Sequence, residues 1–259
     1  MLVAGGTSIG VLLKNRLIEP EVLVYLGHVP NLTAISEQPD GALRLGSMAT
    51  LRDIARSPLA ASEAPSLVAA AEKVGNPRVR AVATIGGAIV HGDPRQDVPP
   101  VMLALGAVVT VQGPRGTREI PMSEFLTGFM ESAVEDDEIV LSVEVPSRRN
   151  RREAYTRFTP NSEDDYPTVG VAASLRISAT GEVEDALIAL GGVDSHAIAV
   201  AEAGSVLVGS RMEQSDIERA AQIASLIAEP SDDSRGSESY KRSMIEVCTR
   251  RTLVACLEQ

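Results

Sequence analysis

Short runs of β-branched and aliphatic residues alternate with amphipathic stretches along the whole chain, so neither helix nor strand dominates. Leu2-Val3-Ala4 predicts a strand, Gly5-Gly6-Thr7-Ser8 a turn, and residues 9–16 a helix with Ile9, Leu12 and Leu13 apolar. Residues 21–26 predict a second strand, closed by a turn at Pro30-Asn31, and 42–45 a third, ended by Gly46. Thr50-Leu51-Arg52-Asp53 approximates a capping box at the head of a helix. A further helix over 64–74 stops at Gly75, where Asn76-Pro77 forbids continuation. Residues 79–85 read as a β-type run leading into Gly86-Gly87, and a polar loop follows from His91 to Asp97. Pro99 and Pro100 then head a short helix, where proline is tolerated.

Strands are expected over 107–111 and 118–121, joined by the hairpin turn Gly113-Pro114-Arg115-Gly116, and again over 139–145. The basic run Ser147-Arg148-Arg149-Asn150-Arg151-Arg152 marks a boundary between a domain at 1–147 and another at 153–259. It reads as a solvated linker, or as a contact for an acidic partner surface. Beyond it, strands near 154–158, 168–177 and 183–190 form a meander. Ser215-Asp216-Ile217-Glu218 reads as a capping box opening a helix with Ile217, Ala221, Ala224 and Ile227 on one face. Tyr240, Met244, Val247, Cys248 and Val254 line the last helix. A meander followed by helices is an α+β layout.

At 259 residues the chain is long enough for one large or two modest domains, and 44% hydrophobic residues exclude wholesale disorder. Its 24 basic and 35 acidic residues leave a net charge of −11, which argues against nucleic acid and anionic membranes. No apolar run reaches the roughly 18 residues of a transmembrane helix, and no basic leader opens the chain, so a cytoplasmic location is expected. Cys248 and Cys256 are too few for a disulfide framework, a Cys-rich zinc site or an iron–sulfur cluster, and read as reduced core thiols. No two histidines share metal-ligand spacing.

Gly5-Gly6-Thr7-Ser8 and Thr84-Ile85-Gly86-Gly87 hold the candidate chemistry. Glycine permits positive φ and close approach of a ligand, and successive free amides in a tight turn form an anion-binding nest. Two such turns could clamp a diphosphate without a lysine, although each alone is equally an ordinary turn. Neither is a dinucleotide fingerprint or a P-loop. Asp97 could accept hydrogen bonds from sugar hydroxyls or cap the helix that Pro99 starts.

Taken in order, Ala4-Gly5-Gly6-Thr7-Ser8, Ala83-Thr84-Ile85-Gly86-Gly87, Gly92-Asp93-Pro94 with Asp97 and Pro99, and Asp137-Glu138-Ile139-Val140 form a specific set. Leu190-Gly191-Gly192-Val193, the stretch 202–209, Ala228-Glu229-Pro230-Ser231-Asp232-Asp233 and Tyr240-Lys241-Arg242 extend it. The set resembles the FAD-binding subunit of molybdenum-containing hydroxylases, above all the medium flavoprotein subunit of the aerobic carbon monoxide dehydrogenase and xanthine dehydrogenase family. The resemblance implies a p-cresol methylhydroxylase-type FAD-binding fold, here without its usual first strand–helix unit, and a C-terminal domain of a small antiparallel sheet with helices. It implies that Leu2, Val3, Ala4, Gly5, Gly6, Thr7, Ser8 and Ile9 form a first pyrophosphate loop, and Thr84, Ile85, Gly86, Gly87 and Ala88 a second. His91 and Asp97 would contact FAD, Val140 would lie beside the flavin, and Arg157 would take the place of the family's usual lysine. Tyr166, after Asp165, would lie against the isoalloxazine, unless it is simply a core tyrosine.

The resemblance further implies an electron-transfer role beside two partners, a large subunit with the molybdenum cofactor and a small one with [2Fe-2S] clusters, in a heterotrimer expected to dimerise. Three departures stand out: the missing first unit, Ala88 where asparagine is common, and residues 159–163 in place of a Lys- and Arg-rich stretch, leaving Arg157 as the nearby cation. A scaffold subunit with weak flavin binding and a stand-alone flavin oxidase are the competing readings. The oxidase reading lacks a paired Tyr, His or Arg acid–base constellation in the second domain.

Overall fold

The computed structural model describes residues 1–148, 150–160, 162 and 164–259. It opens with β1 (Leu2–Val3), α1 (Thr7–Lys14) and β2 (Val24–Tyr25), the two strands paired in parallel through Leu2 with Val24 and Val3 with Tyr25. Thr7 and Ser8 already belong to α1 rather than to a turn, because left-handed Gly6 alone reverses the chain. The strand expected over 21–26 shrinks to two residues, and Leu26–His28 winds into a 3₁₀ turn after it.

After β3 (Ile35–Glu37) and β4 (Leu43–Gly46) comes a series of short helices: α2 (Leu51–Ala55), α3 (Pro58–Glu63), α4 (Pro65–Lys73), α5 (Pro77–Arg80), α6 (Ile85–His91) and α7 (Val98–Ala104). Their starts are local. Thr50, Ser57, Asn76 and Thr84 each accept a first-turn amide, and Pro58, Pro65 and Pro77 each occupy a first helical position. Next follow β5 (Val108–Gly113), β6 (Gly116–Pro121), α8 (Met122–Phe125), the small hairpin of β7 (Leu126–Gly128) and β8 (Glu131–Ser132), and β9 (Ile139–Val145). The order β3-β4-β9-β5-β6 makes a five-stranded antiparallel sheet.

The second half has β10 (Arg151–Phe158), β11 (Val169–Ile177), β12 (Val183–Gly191) and β13 (Ile198–Ala199) in sequential antiparallel order, then α9 (Ala201–Ser205), α10 (Gln214–Ile227) and α11 (Glu238–Leu257). The expected capping box at Ser215 lies two residues too late. Glu213 is the cap and Asp216 its reciprocal partner, so Ser215 sits inside the helix. Cys248 and Cys256 are buried free thiols whose burial pushes them up to about 11 and about 12. Arg151 and Arg152 are the first residues of β10, and Arg151 pairs with Asp185 at 2.7 Å while bonding Ser174. The basic run is therefore not wholly a solvated linker; Arg149 lies outside the described residues.

The two sheets meet across α7. All seven of its residues are buried, as an apolar helix enclosed on every side must be. Along β11 and β12, Ala172 and Ala189 face the first core while Val171, Ala173, Ile188 and Leu190 face the second, the period of two that lets one sheet serve both. Gly191 lets α7 approach, since a methyl there would sit 3.0 Å from Pro100 Cγ. On β10 the same period sends Glu153, Tyr155 and Arg157 toward the first domain. Glu153 accepts the Ser66 amide at 3.2 Å and its hydroxyl, supplying the cap that α4 lacks on its own. Tyr155 donates to Asp97 Oδ1 at 2.7 Å, and Arg157 Nε lies 3.4 Å from the same oxygen. Arg157 also donates to the carbonyls of Lys73 and Asp165.

Two consequences can be measured. Arg157→Met strips the buried Asp97 carboxyl of its guanidinium partner, so denaturant unfolding should show a loss of about 3–5 kcal/mol, much of it recovered when Asp97→Leu is added. Arg118 grips Glu138 through two bonds of 2.8 and 2.7 Å, and that carboxylate also accepts the Glu135 amide. These bonds lower the Glu138 pKa from 4.5 to about 2. A depressed folded-state value stabilises above the unfolded one, so the stability difference between Glu138→Gln and the parent should be full at pH 7. It should close as the pH falls from 4.5 toward about 2.

Candidate functional site

The first glycine pair owes its shape to two different constraints. Gly6 has φ of +75°, a left-handed conformation that costs glycine nothing. Gly5 is needed for proximity, because a methyl there would sit 1.8 Å from the Val82 carbonyl oxygen and 3.1 Å from Ala83 Cα. The bend at the head of α1 is thus pressed against the segment that leads into α6. No side chain caps α1, and its backbone ladder starts with Gly10 donating to the Gly6 carbonyl at 2.9 Å. The amides of Thr7, Ser8 and Ile9 therefore precede the ladder at the positive end of the helix. A methyl on Gly6 would find only Val3 Cγ1, at 3.9 Å, so the space before that end is open.

The second glycine pair is not a bend. The β-type run expected over 79–85 is the end of α5, an irregular link and a single bridge between Thr50 and Thr84. Gly86 and Gly87 lie in the first turn of α6 without positive φ. Nor are their amides free: Gly86 donates to the Ser47 carbonyl at 2.9 Å, Gly87 to Thr84 Oγ1 at 3.1 Å and Ala88 to the Thr84 carbonyl at 2.9 Å. Ile85 donates to the Ala49 carbonyl at 3.0 Å. Gly86 serves close packing, since a methyl on it would lie 2.7 Å from Ser47 Cβ. Gly87 faces the first bend, its built methyl 3.8 Å from Ala4 Cβ. The two glycine segments are neighbours, and of the two only the first presents a row of amides that the helix leaves unused.

His91 ends α6 rather than standing in a loop, and left-handed Gly92 closes that helix. Burial pushes the imidazole below its ordinary value against the opposing pull of Asp93, so it is neutral at pH 7. The loop that follows is tied to the second domain by the Gly192 amide, which donates to the Pro94 carbonyl at 2.7 Å. Asp97 occupies the cap position of α7 but makes no cap bond. Its carboxylate is instead spent on Tyr155 and Arg157, with both side chains of the ion pair only 5% exposed. Burial raises the Asp97 pKa while Arg157 and Tyr155 oppose the rise. Tyr155 went unmarked in the sequence, although its alternation with Glu153 and Arg157 on one strand face was visible there. Val140 pairs with Val111 in the core, so its side chain belongs to the hydrophobic interior rather than to an open wall.

Tyr166 is 48% exposed, which removes the core-tyrosine reading. Asp165 beside it accepts the Tyr166 amide at 2.7 Å and pairs with Arg235. Arg157 is therefore not the one cation in this neighbourhood. Asn161 and Glu163, within the stretch expected to lack cations, lie outside the described residues. Among the described residues no group of three or more His, Cys, Asp or Glu side chains could hold a metal ion, and no helix is long and apolar enough to cross a membrane.

Comparison with known proteins places this geometry. Residues 1–148 match the family described as the FAD binding domain in molybdopterin dehydrogenase, and residues 154–255 the CO dehydrogenase flavoprotein C-terminal domain. The chain is 34% identical to the nicotine 6-hydroxylase medium subunit of Paenarthrobacter nicotinovorans, over 98% of its own length and 88% of that protein's. It is 32% identical to the carbon monoxide dehydrogenase medium chain of Hydrogenophaga pseudoflava, over 98% and 88%. A solved structure of carbon monoxide dehydrogenase from Hydrogenophaga pseudoflava superposes with a TM-score of 0.96 at 32% identity, covering 100% of this chain and 89% of that one. The chain belongs to the family of FAD-binding medium subunits of molybdenum hydroxylases, an oxidoreductase subunit whose first 148 residues are the FAD-binding domain.

Proposed function

We propose that this chain is the electron-relay subunit of a molybdenum hydroxylase, holding FAD between the head of α1 and the face of α6. The observation that carries the reading is the contact of Gly5 with Val82 and Ala83, which sets the uncapped α1 terminus beside Gly87. A diphosphate fits there: the amides of Thr7, Ser8 and Ile9 offer donors, the helix offers its positive end, and Gly6 leaves the approach clear. Leu2, Val3 and Ala4 would carry that bend, and Thr84, Ile85, Gly86 and Ala88 would shape the opposite wall. His91, neutral at the end of α6, would serve as a hydrogen-bonding group rather than a cation. Tyr166, exposed and next to Asp165, would lie against the isoalloxazine. Asp97 and Arg157 would act on the cofactor by fixing the loop and Tyr166's neighbour, since their charges answer one another. When bound, FAD supplies the redox chemistry, and the chain supplies position, exclusion of water and a proton-holding environment.

Electrons would arrive from [2Fe-2S] clusters in a small subunit, having left substrate at the molybdenum cofactor of a large one, and would depart to an external acceptor. The relatives' designation as medium subunit or medium chain supports this three-part assembly. A heterotrimer that dimerises in the cytoplasm, with the chain divided near residues 147–153, completes the proposal.

Native purification of the chain with the subunits that accompany it, followed by flavin absorbance and metal assays, tests the reading. One FAD per chain is expected. Gly5→Ala should weaken FAD binding at least about tenfold, near 1.4 kcal/mol, by prising α1 from Val82. Gly10→Ala, where a methyl meets nothing within 4 Å, is the control that should retain FAD. A colourless parent assembly, or parent-like FAD affinity in a folded Gly5→Ala variant, would overturn it.

A further inference from the structure

Tyr166 lies in the irregular segment between β10 and β11, where packing alone does not fix a half-exposed ring. Its backbone amide is held by Asp165. One carboxylate oxygen of Asp165 accepts the Tyr166 amide at 2.7 Å and lies 2.5 Å from Arg235 Nη2, while the Asp165 carbonyl accepts from Arg157. Residue 165 is thus held by two arginines, one on the adjacent strand and the other on the loop between α10 and α11.

That loop is itself rigidly tied. The Arg235 amide donates to Asp233 Oδ1 at 2.8 Å, and the other contact of that oxygen is Lys241 Nζ, also at 2.8 Å. Lys241 is 3% exposed, and its ammonium also donates to the Ser231 carbonyl at 2.7 Å. A lysine buried at the start of α11 thereby anchors Asp233, Asp233 holds the Arg235 backbone, and the Arg235 side chain reaches Asp165. The connection runs from the helical layer of the second half to the Tyr166 backbone amide through hydrogen bonds and ion pairs. The Arg235 bond is also the chief reason that the Asp165 carboxyl titrates below its ordinary value, so the pair stays charged at neutral pH.

We infer that Arg235 is a positioning residue of the flavin site, holding Tyr166 in place through Asp165. This rests on the reading of Tyr166 as the aromatic against the isoalloxazine, and the experiment separates the two. Flavin fluorescence would be measured in the natively purified, FAD-loaded assembly for the parent, Tyr166→Ala, Arg235→Gln and Arg235→Lys. Tyr166→Ala should raise flavin emission severalfold by removing a quenching ring. Arg235→Gln should raise it by a comparable factor with the tyrosine still present, and Arg235→Lys should restore most of the quenching. Parent-like emission in Tyr166→Ala would overturn the reading of Tyr166. Altered emission in Tyr166→Ala with parent-like emission in Arg235→Gln would overturn the role of Arg235 and leave that of Tyr166 intact. Hydrogen exchange in the flavin-free chain gives a measurement independent of the cofactor: the Tyr166 amide should exchange at least several times faster in Arg235→Gln. Asp165→Ala, which removes the same pair, serves should Arg235→Gln fail to fold. Unchanged exchange at Tyr166 in whichever variant folds would also overturn the proposal.

Discussion

A carboxylate taken out of water must be given a cation and a donor, and Asp97 finds both on one strand of the other sheet. That requirement governs how the two halves of the molecule meet. Arg157 and Tyr155 can reach Asp97 only because the strand beside them is small. Gly170 stands opposite Arg157 and Ala172 opposite Tyr155 in the register, and a methyl on Gly170 would lie 2.9 Å from the tyrosine oxygen. A buried ion pair adds little net stability over an apolar substitute, but it penalises any docking that separates its members. Its contribution is therefore to the uniqueness of the domain arrangement, and hence to the position of the loop after His91 and of the segment bearing Tyr166.

Proximity rather than turn geometry explains most of the glycines around the site. Gly6 and Gly92 use the left-handed conformation, whereas Gly5, Gly86 and Gly191 are glycines because a backbone or a packed ring lies where a methyl would be. The distinction bears on function. A left-handed glycine releases the amides that follow it, but a close-packed glycine at the head of a capped helix has its amide already engaged. Gly5-Gly6 and Gly86-Gly87 look alike as dipeptides and do different physical work: one pair leaves the head of α1 uncapped and open, the other brings α6 down onto Ser47.

That contrast also shows what could be read beforehand. Capping residues and prolines are local signals, so Thr50 and Pro99 marked helix starts in the sequence, whereas Asn76 was read only as the end of a helix, and hairpins such as 113–116 declared themselves. The antiparallel meander was legible because aliphatic stretches such as 169–173 and 186–190 run through its longer strands. The segment 79–85 was not, because β-branched residues there pack a short helix and a link rather than a strand, and tertiary context overrides propensity. Thr84 followed three residues later by an acceptable amide is the cap signal that would have corrected it. For Asp97 the sequence offered a cap or a sugar contact, and neither is what its Oδ1 does. The partners lie 58 and 60 positions away, a separation that no local pattern encodes. The strand-face alternation of Glu153, Tyr155 and Arg157 was in plain view, yet its meaning depends on knowing what lies opposite.

The charge balance acquires a structural sense in this light. An acidic chain of net charge −11 would be expected to bind an anionic cofactor through whatever cations it has nearby, but three cations near Asp97 and Tyr166 are committed to carboxylates. Arg157 answers Asp97, Arg235 answers Asp165 and Lys241 answers Asp233, each pair at least partly withdrawn from water. These arginines and this lysine shape the site by holding loops in place. In the proposed site a diphosphate would meet the backbone, where the unused amides at the head of α1 carry partial positive charge at fixed positions and add no further side chain to be desolvated. A site built this way depends on the placement of a helix end more than on the identity of any side chain, which is why the contact between Gly5 and Val82 matters more to it than any single charged residue.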